Sequence, residues 1–207
     1  WRLSEVSKLM KEMANKCGKK LEFYSGYQSP YTHFTYGVDW TFMKDSIDIG
    51  LAGYGDPPSN IIKTINAISP KPLITGVIGM PYKITDWSPV NTITKADIIK
   101  GIILGSKGFL CYNFPQISGR SYSNFAECTR LLCEYEDIFF PGIKNGGFLT
   151  VVPEYKDEII FSLFENADSG FPKILLVGNI GNKDRDQEIK LCTKVPYNVK
   201  DFYSGEV

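Results

Sequence analysis

The chain has 207 residues, of which 43% are hydrophobic and 22% charged, enough for one large or two small units with real cores, so intrinsic disorder is excluded. Its 23 basic and 23 acidic side chains cancel and no Lys/Arg cluster stands out, which argues against nucleic acid as a partner. No apolar run reaches the roughly 20 residues of a membrane span and no signal-peptide pattern opens the chain, so no span is expected.

The chain starts at Trp1 rather than Met, which reads as an excerpt or a processed product. Its first segment, "LSEVSKLMKEMANKCGKK", places Leu3, Val6, Leu9, Met10 and Met13 at helical spacing, with Ser4 as N-cap and Gly18 as stop. An amphipathic helix follows from that pattern. Four strand-like runs come next: Leu21 to Tyr27, Ile47 to Gly55, Pro72 to Gly79 and Gly108 to Phe114. The last three lead into helical patterns, "PSNIIKTINAI", "TKADIIKGIILGS" and "SNFAECTRLLCEYEDIF", while the stretch around "GVDWTFMKDS" after the first is weaker. Alternation of this length implies parallel strands, right-handed crossovers and helices covering the sheet, an α/β fold. On the second strand Gly50, Ala52 and Tyr54 share one face and Ile49 and Leu51 the other. Small residues on one face suit a crowded barrel interior, a ligand or simply tight packing.

The character changes near Phe139, where "FFPGIKNGG" makes a turn-rich junction. From there the strand candidates are "FLTVVP", "EIIFSLFEN", "KILLVGNI", "QEIKLCT" and "YNVKDFYS", with no long helix between them. An antiparallel β-sandwich over residues 147–207, with incomplete sheets, is the expected second unit.

Cys17, Cys111, Cys128, Cys133 and Cys192 form no CxxC pair and suit either redox compartment, which leaves localisation open. Cys128 and Cys133, five apart on a helix, point about 140° from each other and should not bridge. His33 is the single histidine, so a His-rich zinc site is excluded and the residue reads as a solvated or locally bonded loop group. A relay of Ser25, His33 and Asp39 is conceivable, but no G-x-S-x-G elbow supports it.

The order of segments resembles the second half of a glycoside-hydrolase (β/α) barrel followed by its C-terminal β-sandwich. The residues that carry the resemblance are "NKCGKKLEFYSGY", "YGVDW" before "DIGLAGYG", "KPLITGVIG", "GSKGFLCYNF" leading to "AECTRLLCEYEDIF", and "KILLVGNIGN" with "VKDFYSGEV". The resemblance implies that residues 1–140 supply the fifth to eighth strands of a barrel that needs eight to close. A missing N-terminal half of the same protein, or another chain, would then cover the open sheet edge. The alternative is a complete small open α/β sheet with an appended sandwich.

Barrel sites lie at the C-terminal ends of the strands. The groups there are Tyr24, Tyr27 and Gln28; Tyr54 and Asp56; Met80, Tyr82, Asp86 and Trp87; and Asn113 and Gln116. Of these, Tyr24, Tyr27, Tyr54, Tyr82, Trp87, Asn113 and Gln116 are the candidate binders of a carbohydrate substrate, aromatic rings stacking on a sugar face and amides bonding its hydroxyls. Asp56 is the candidate catalytic carboxylate, with N-capping through Ser59 or Asn60 as its structural reading. The resemblance also implies a glutamate on the seventh strand, and "PLITGVIGMPY" has none. No cofactor or metal is expected. Asp39, Asp45, Asp48, Glu134, Glu136 and Asp137 read as structural. The chain is thus expected to be a glycoside hydrolase with part of its carboxylate pair in the missing half, or a catalytically silent carbohydrate-binding or architectural relative.

Overall fold

The computed structural model describes residues 2–53, 57–78, 93–112, 118–140, 152–156, 159–164 and 173–180. The four apolar runs form strands β1 (Glu22–Ser25), β2 (Ile49–Ala52), β3 (Leu73–Ile78) and β4 (Phe109–Tyr112), in the order β1-β2-β3-β4 with every pair parallel. Between and around them stand α1 (Arg2–Lys16), α2 (Pro30–Tyr36), α3 (Trp40–Met43), α4 (Pro58–Ile68), α5 (Lys95–Ile103), α6 (Gly119–Glu134) and α7 (Glu136–Phe139). Helix ends follow local chemistry. Ser29 and Ser118 cap α2 and α6, and Thr94 with Asp97 closes a capping box on α5. Gly18 takes the left-handed conformation (φ +64°) that ends α1, as the sequence pattern predicts. Ser4 is not the cap of α1; it lies inside the helix and is buried.

Register shows which face the helices cover. Phe23 pairs with Gly50, Gly50 with Leu73, Ala52 with Thr75 and Thr75 with Phe109, so these side chains point to one side. There Phe23 meets Trp40 of α3 edge to face, with ring centroids 5.7 Å apart, and Phe109 meets Phe125 of α6 at 5.5 Å. A Cβ on Gly50 would stand 2.8 Å from Ile68 Cδ1 of α4, and one on Gly101 of α5 would come closer still to Thr75 Oγ1. Helices α3 to α6 therefore all lie on one face. Sequential strand order joined by crossovers of one hand produces this, because each crossover lands on the same side and no switch point reverses it. The small residues Gly50 and Ala52 belong to that helix-covered face, so they serve helix packing rather than a ligand or a barrel interior.

The opposite face carries Ile49, Leu51, Ile74, Ile78 and Leu110, all half-buried, with Tyr24 and Tyr112 exposed at its two edges. Aliphatic side chains on a parallel strand are normally covered on both sides. None of α3 to α6 covers these.

The second region forms β5 (Val152–Lys156), β6 (Ile159–Phe164) and β7 (Ile174–Asn179), an antiparallel sheet in the order β5-β6-β7. It rests on the outer side of α5. Ser162 Oγ donates to Ile103 O at 2.6 Å, a Cβ on Gly178 would lie 3.1 Å from Ile103 Cδ1, and Phe164 meets Phe139 of α7 with centroids 5.0 Å apart. Helix α5 is thus enclosed between two sheets, with Ile98, Ile102 and Ile103 fully buried. Each such side chain contributes about 1.5–3 kcal/mol relative to an exposed one. The strand candidates "QEIKLCT" and "YNVKDFYS" lie outside the described residues; among the described residues this region is one three-stranded antiparallel sheet.

Helix α1 is oriented by its polar side. Lys11 Nζ donates to Ile47 O at 3.0 Å and Asp45 O at 3.2 Å, and lies 3.6 Å from Asp48 Oδ1. Asp48 Oδ2 in turn accepts from Leu21 N at 2.9 Å, tying the start of β1 to the start of β2. Ser4 and Ser7 consequently face inward, and Leu3, Val6, Leu9, Met10 and Met13 face solvent.

Candidate functional site

Crossovers return the chain to one end of the sheet, so the loops after β1 to β4 gather at a common rim. The glycines at that rim shape its floor. Gly53 N donates to Ser25 O at 2.8 Å and Gly76 N to Gly53 O at 3.1 Å, tying the ends of β1 and β2 to β3. A Cβ on Gly76 would lie 2.8 Å from Gly53 O, and one on Gly53 would lie 3.7 Å from Gly26 Cα and 3.9 Å from the Tyr24 hydroxyl. At Gly53 and Gly76 this face presents backbone rather than side chains, bordered by Tyr24 on β1, Ile78 at the end of β3, and Leu110 and Tyr112 on β4. Nothing larger than glycine fits at Gly76 without moving backbone.

Behind this floor a polar network fixes the loop after β1. Gln28 uses its whole amide: Nε2 donates to Asp39 Oδ1 and Oε1 accepts from Trp40 N, both at 2.9 Å. Gln28 N donates to Thr64 Oγ1 of α4 at 2.7 Å, and Trp40 Nε1 to Gly26 O at 2.7 Å. Asp39 Oδ1 also accepts from Thr41 N at 2.9 Å and Thr41 Oγ1 at 2.6 Å, which makes Asp39 the cap of α3. Burial opposes ionisation of Asp39, but the hydrogen bonds from Thr41 and Gln28, with the charge of His33, outweigh it and hold the carboxyl below its ordinary range. It is an ionised acceptor, unsuited to donating a proton.

The sequence candidates separate accordingly. Tyr24 is exposed on the bare face. Tyr27 is 2% exposed and packs in the core cluster. Its position two residues after the strand end turns it under the loop that Gln28 and Trp40 anchor. Asp56, Tyr54, Tyr82, Trp87, Asn113 and Gln116 lie outside the described residues, as do Met80 and Asp86. His33 is not a loop residue; it sits on α2, half-buried, with Nε2 buried and unpartnered among the described residues. Ser25 is buried on the helix-covered side and Asp39 Oδ1 is engaged by Thr41 and Gln28, so the three make no relay. Asp48 lies at the opposite end of the sheet; its bond from Leu21 N, then the charges of Lys11, Lys20 and Lys71, outweigh burial and lower its pKa.

Sequence reasoning missed the Gln28–Asp39–Trp40 network. Its signal was a Gln directly after a strand and an Asp-x-Thr helix start eleven residues on.

Among the described residues no group of three or more His, Cys, Asp or Glu side chains could hold a metal ion, and no helix is long and apolar enough to cross a membrane. Cys17, Cys111, Cys128 and Cys133 are free thiols. Burial pushes Cys128 up to about 11, which makes it a poor nucleophile. Compared with known proteins, the chain matches no protein-family profile, and no curated protein or solved structure shows significant similarity to it.

Proposed function

We propose that residues 1–140 are half of a (β/α) barrel, that residues 147–207 belong to a β-sandwich, and that the whole acts on carbohydrate as a glycoside hydrolase. The observation that carries this reading is the bare sheet face. A parallel sheet with α3 to α6 on one side leaves, among the described residues, an aliphatic face that an open doubly wound sheet would cover, and closure of the sheet on itself is the arrangement that buries such a face. At its carboxyl end that face offers a glycine floor between Tyr24 and Tyr112, where a sugar ring could stack while its hydroxyls meet backbone groups.

Hydrolysis needs two carboxyl groups about 5 to 10 Å apart across the scissile bond. Asp56 follows β2 directly and supplies one in this reading, with Tyr54, Tyr82 and Trp87 bordering the same hollow. The second comes from the other half of the barrel. The silent relative is favoured by one observation: the described carboxylates at the rim are already committed, Asp39 to capping α3 and Asp97 to the capping box of α5.

The test is hydrolysis of a panel of aryl glycosides by the parent protein with both barrel halves, with and without Asp56→Asn. A loss of about 10⁴-fold or more in the substituted protein supports Asp56 as acid, base or nucleophile. Unchanged turnover removes it from the mechanism, and no turnover in either protein favours the silent relative.

A further inference from the structure

The amino end of the parallel sheet gathers charges that lie far apart in the sequence. Lys20, Lys71 and Lys107 each stand just ahead of a strand, β1, β3 and β4 in turn. Backbone bonds fix their order. Asp48 N donates to Leu21 O at 2.9 Å, Gly50 N to Pro72 O at 3.0 Å and Lys107 N to Leu73 O at 2.8 Å, so Lys20, Asp48, Lys71 and Lys107 follow one another across the sheet. Asp48 is the one acid in that row and is already engaged: Oδ2 accepts from Leu21 N at 2.9 Å and Oδ1 lies 3.6 Å from Lys11 Nζ. Lys20 and Lys71 stand near enough to lower its pKa, yet it makes its ion pair with Lys11. Lys19, Lys20 and Lys107 are exposed and Lys71 is half-buried, and among the described residues no carboxylate pairs with any of the four. Of the other carboxylates beside these strand starts, Asp45 acts on Lys8, and Glu22 is exposed on β1. Positive charge is therefore in excess here, in a chain whose charges cancel overall.

We propose that this end of the sheet is a docking surface for an acidic, extended segment of a partner protein, whose carboxylates pair with Lys20, Lys71 and Lys107 and with Lys19 beside them. Charge complementarity selects the partner. The residues next to each lysine include no aromatic ring to stack a base and no arginine to fork around a phosphate, so dispersed carboxylates fit these point charges better than a nucleic acid does. Spacing agrees. Lys20 and Lys71 flank Asp48 from its two neighbouring strands, about 10 Å apart by strand spacing, and Lys107 lies one strand further on. Alternate side chains of an extended segment recur about every 7 Å, a mismatch that flexible lysine stems absorb. Asp48 is the one group in the row that opposes such a partner. The surface lies at the opposite end of the sheet from the rim of Tyr24 and Tyr112, and it rests on neither the carbohydrate reading nor the half-barrel reading.

Fluorescence anisotropy of a labelled peptide of alternating glutamate and serine, titrated with the 207-residue chain at low salt, tests it. Saturable binding that weakens as salt is added is expected. Lys20→Glu and Lys71→Glu should each weaken it by about tenfold or more, while Lys63→Glu, the same reversal on the exposed surface of α4, should leave it within about twofold. Asp48→Asn should act in the opposite sense and tighten binding by about two- to threefold, which the loss of a merely structural group would not do. Unchanged circular dichroism confirms that each variant folds. No binding at high micromolar concentration of the native chain overturns the inference. So does binding that Lys20→Glu and Lys71→Glu leave intact, or that Lys63→Glu weakens as much as they do. Tighter binding of an oligodeoxythymidylate of equal charge, or of phosphatidylserine vesicles, overturns it in favour of a nucleic acid or a membrane surface respectively.

Discussion

Residues 50 and 51 are neighbours on β2, yet they inhabit different environments. Gly50 points into the side where α3 and α4 crowd so closely that a Cβ would press on Ile68 and Trp40. Leu51 points to the side that α3 to α6 leave alone, and it is only half-buried. In a strand the side-chain period is two, so one step along the backbone exchanges a packed core for an open aliphatic surface. Stability is therefore concentrated on one face of the sheet, while the other face keeps apolar area whose burial a further element would have to supply.

The largest expected effect lies on the packed side. Trp40 is fully buried, stands edge-on to Phe23, and donates from its ring to Gly26 O. Trp40→Ala should cost about 3–5 kcal/mol through the cavity and the stranded carbonyl. In a chain of this size that lowers the melting midpoint by on the order of 10 °C, which calorimetry measures. A loss under 1 kcal/mol would mean that the helix-covered face is not the stable one.

Gly50→Val comes next, at about 1–3 kcal/mol destabilising, because added methyls must displace Ile68 and Trp40 from a filled space. Strand propensity argues the other way, valine being the better strand former. Chemical denaturation decides between packing and propensity, and an unchanged midpoint would show that α4 can shift without loss.

How far the sequence reveals this division depends on the element. Strands and long helices were legible because apolar periodicity and caps report on local structure: β1 to β4, α4 and α5 fall within the expected runs, while the run expected as one helix from Ser123 to Phe139 is α6, which starts four residues earlier, followed by the short α7. The side of the sheet that receives helices was not, since Gly50 and Ala52 look the same whether a helix or a ligand lies over them. Alternation tells parity, and only the crossovers tell which parity is covered. The same ambiguity hid the orientation of α1, whose stripe is plain in "LSEVSKLMKEM" but whose outward turn follows from Lys11 reaching Ile47 and Asp48. Short α2 and α3 were obscure because their aromatic and β-branched residues carry strand propensity, and the caps from Ser29 and Asp39 overrule it. At the rim, the spacing that placed Tyr24 at a strand end also placed Tyr27 there. Burial separates them.

The contrast can be sharpened at the amino end, where Asp48 holds α1 and β1 together. Its folded-state pKa is lowered, so its contribution is present above the unfolded carboxylate value, near 4, and is lost as pH falls through the lower folded value. Asp48→Asn should cost about 1 kcal/mol at pH 7 by weakening the bond from Leu21 N and the attraction of Lys11. The difference between the two proteins should shrink as the pH is lowered from 5 toward 3. A difference independent of pH would mean that shape, not charge, is what Asp48 supplies.

The smallest effect belongs to Leu51→Ser. On a packed face such a truncation would cost about 2–5 kcal/mol, the range for removing a large aliphatic side chain from a core. On a face that α3 to α6 leave uncovered, most of the side chain's contacts are with its own strand neighbours, and the polar replacement stays in reach of water. The expected change in an isolated, monomeric chain is then under about 0.5 kcal/mol, as for surface substitutions in general. Denaturant titration of the chain with and without Leu51→Ser reads that difference directly. If the same substitution costs several kcal/mol once the sheet is closed by its partner and almost nothing before, the bare face is an interior awaiting its other half. A large cost in the monomer would show that some other part of this chain already covers Leu51, and the difference between the two faces of the sheet would disappear.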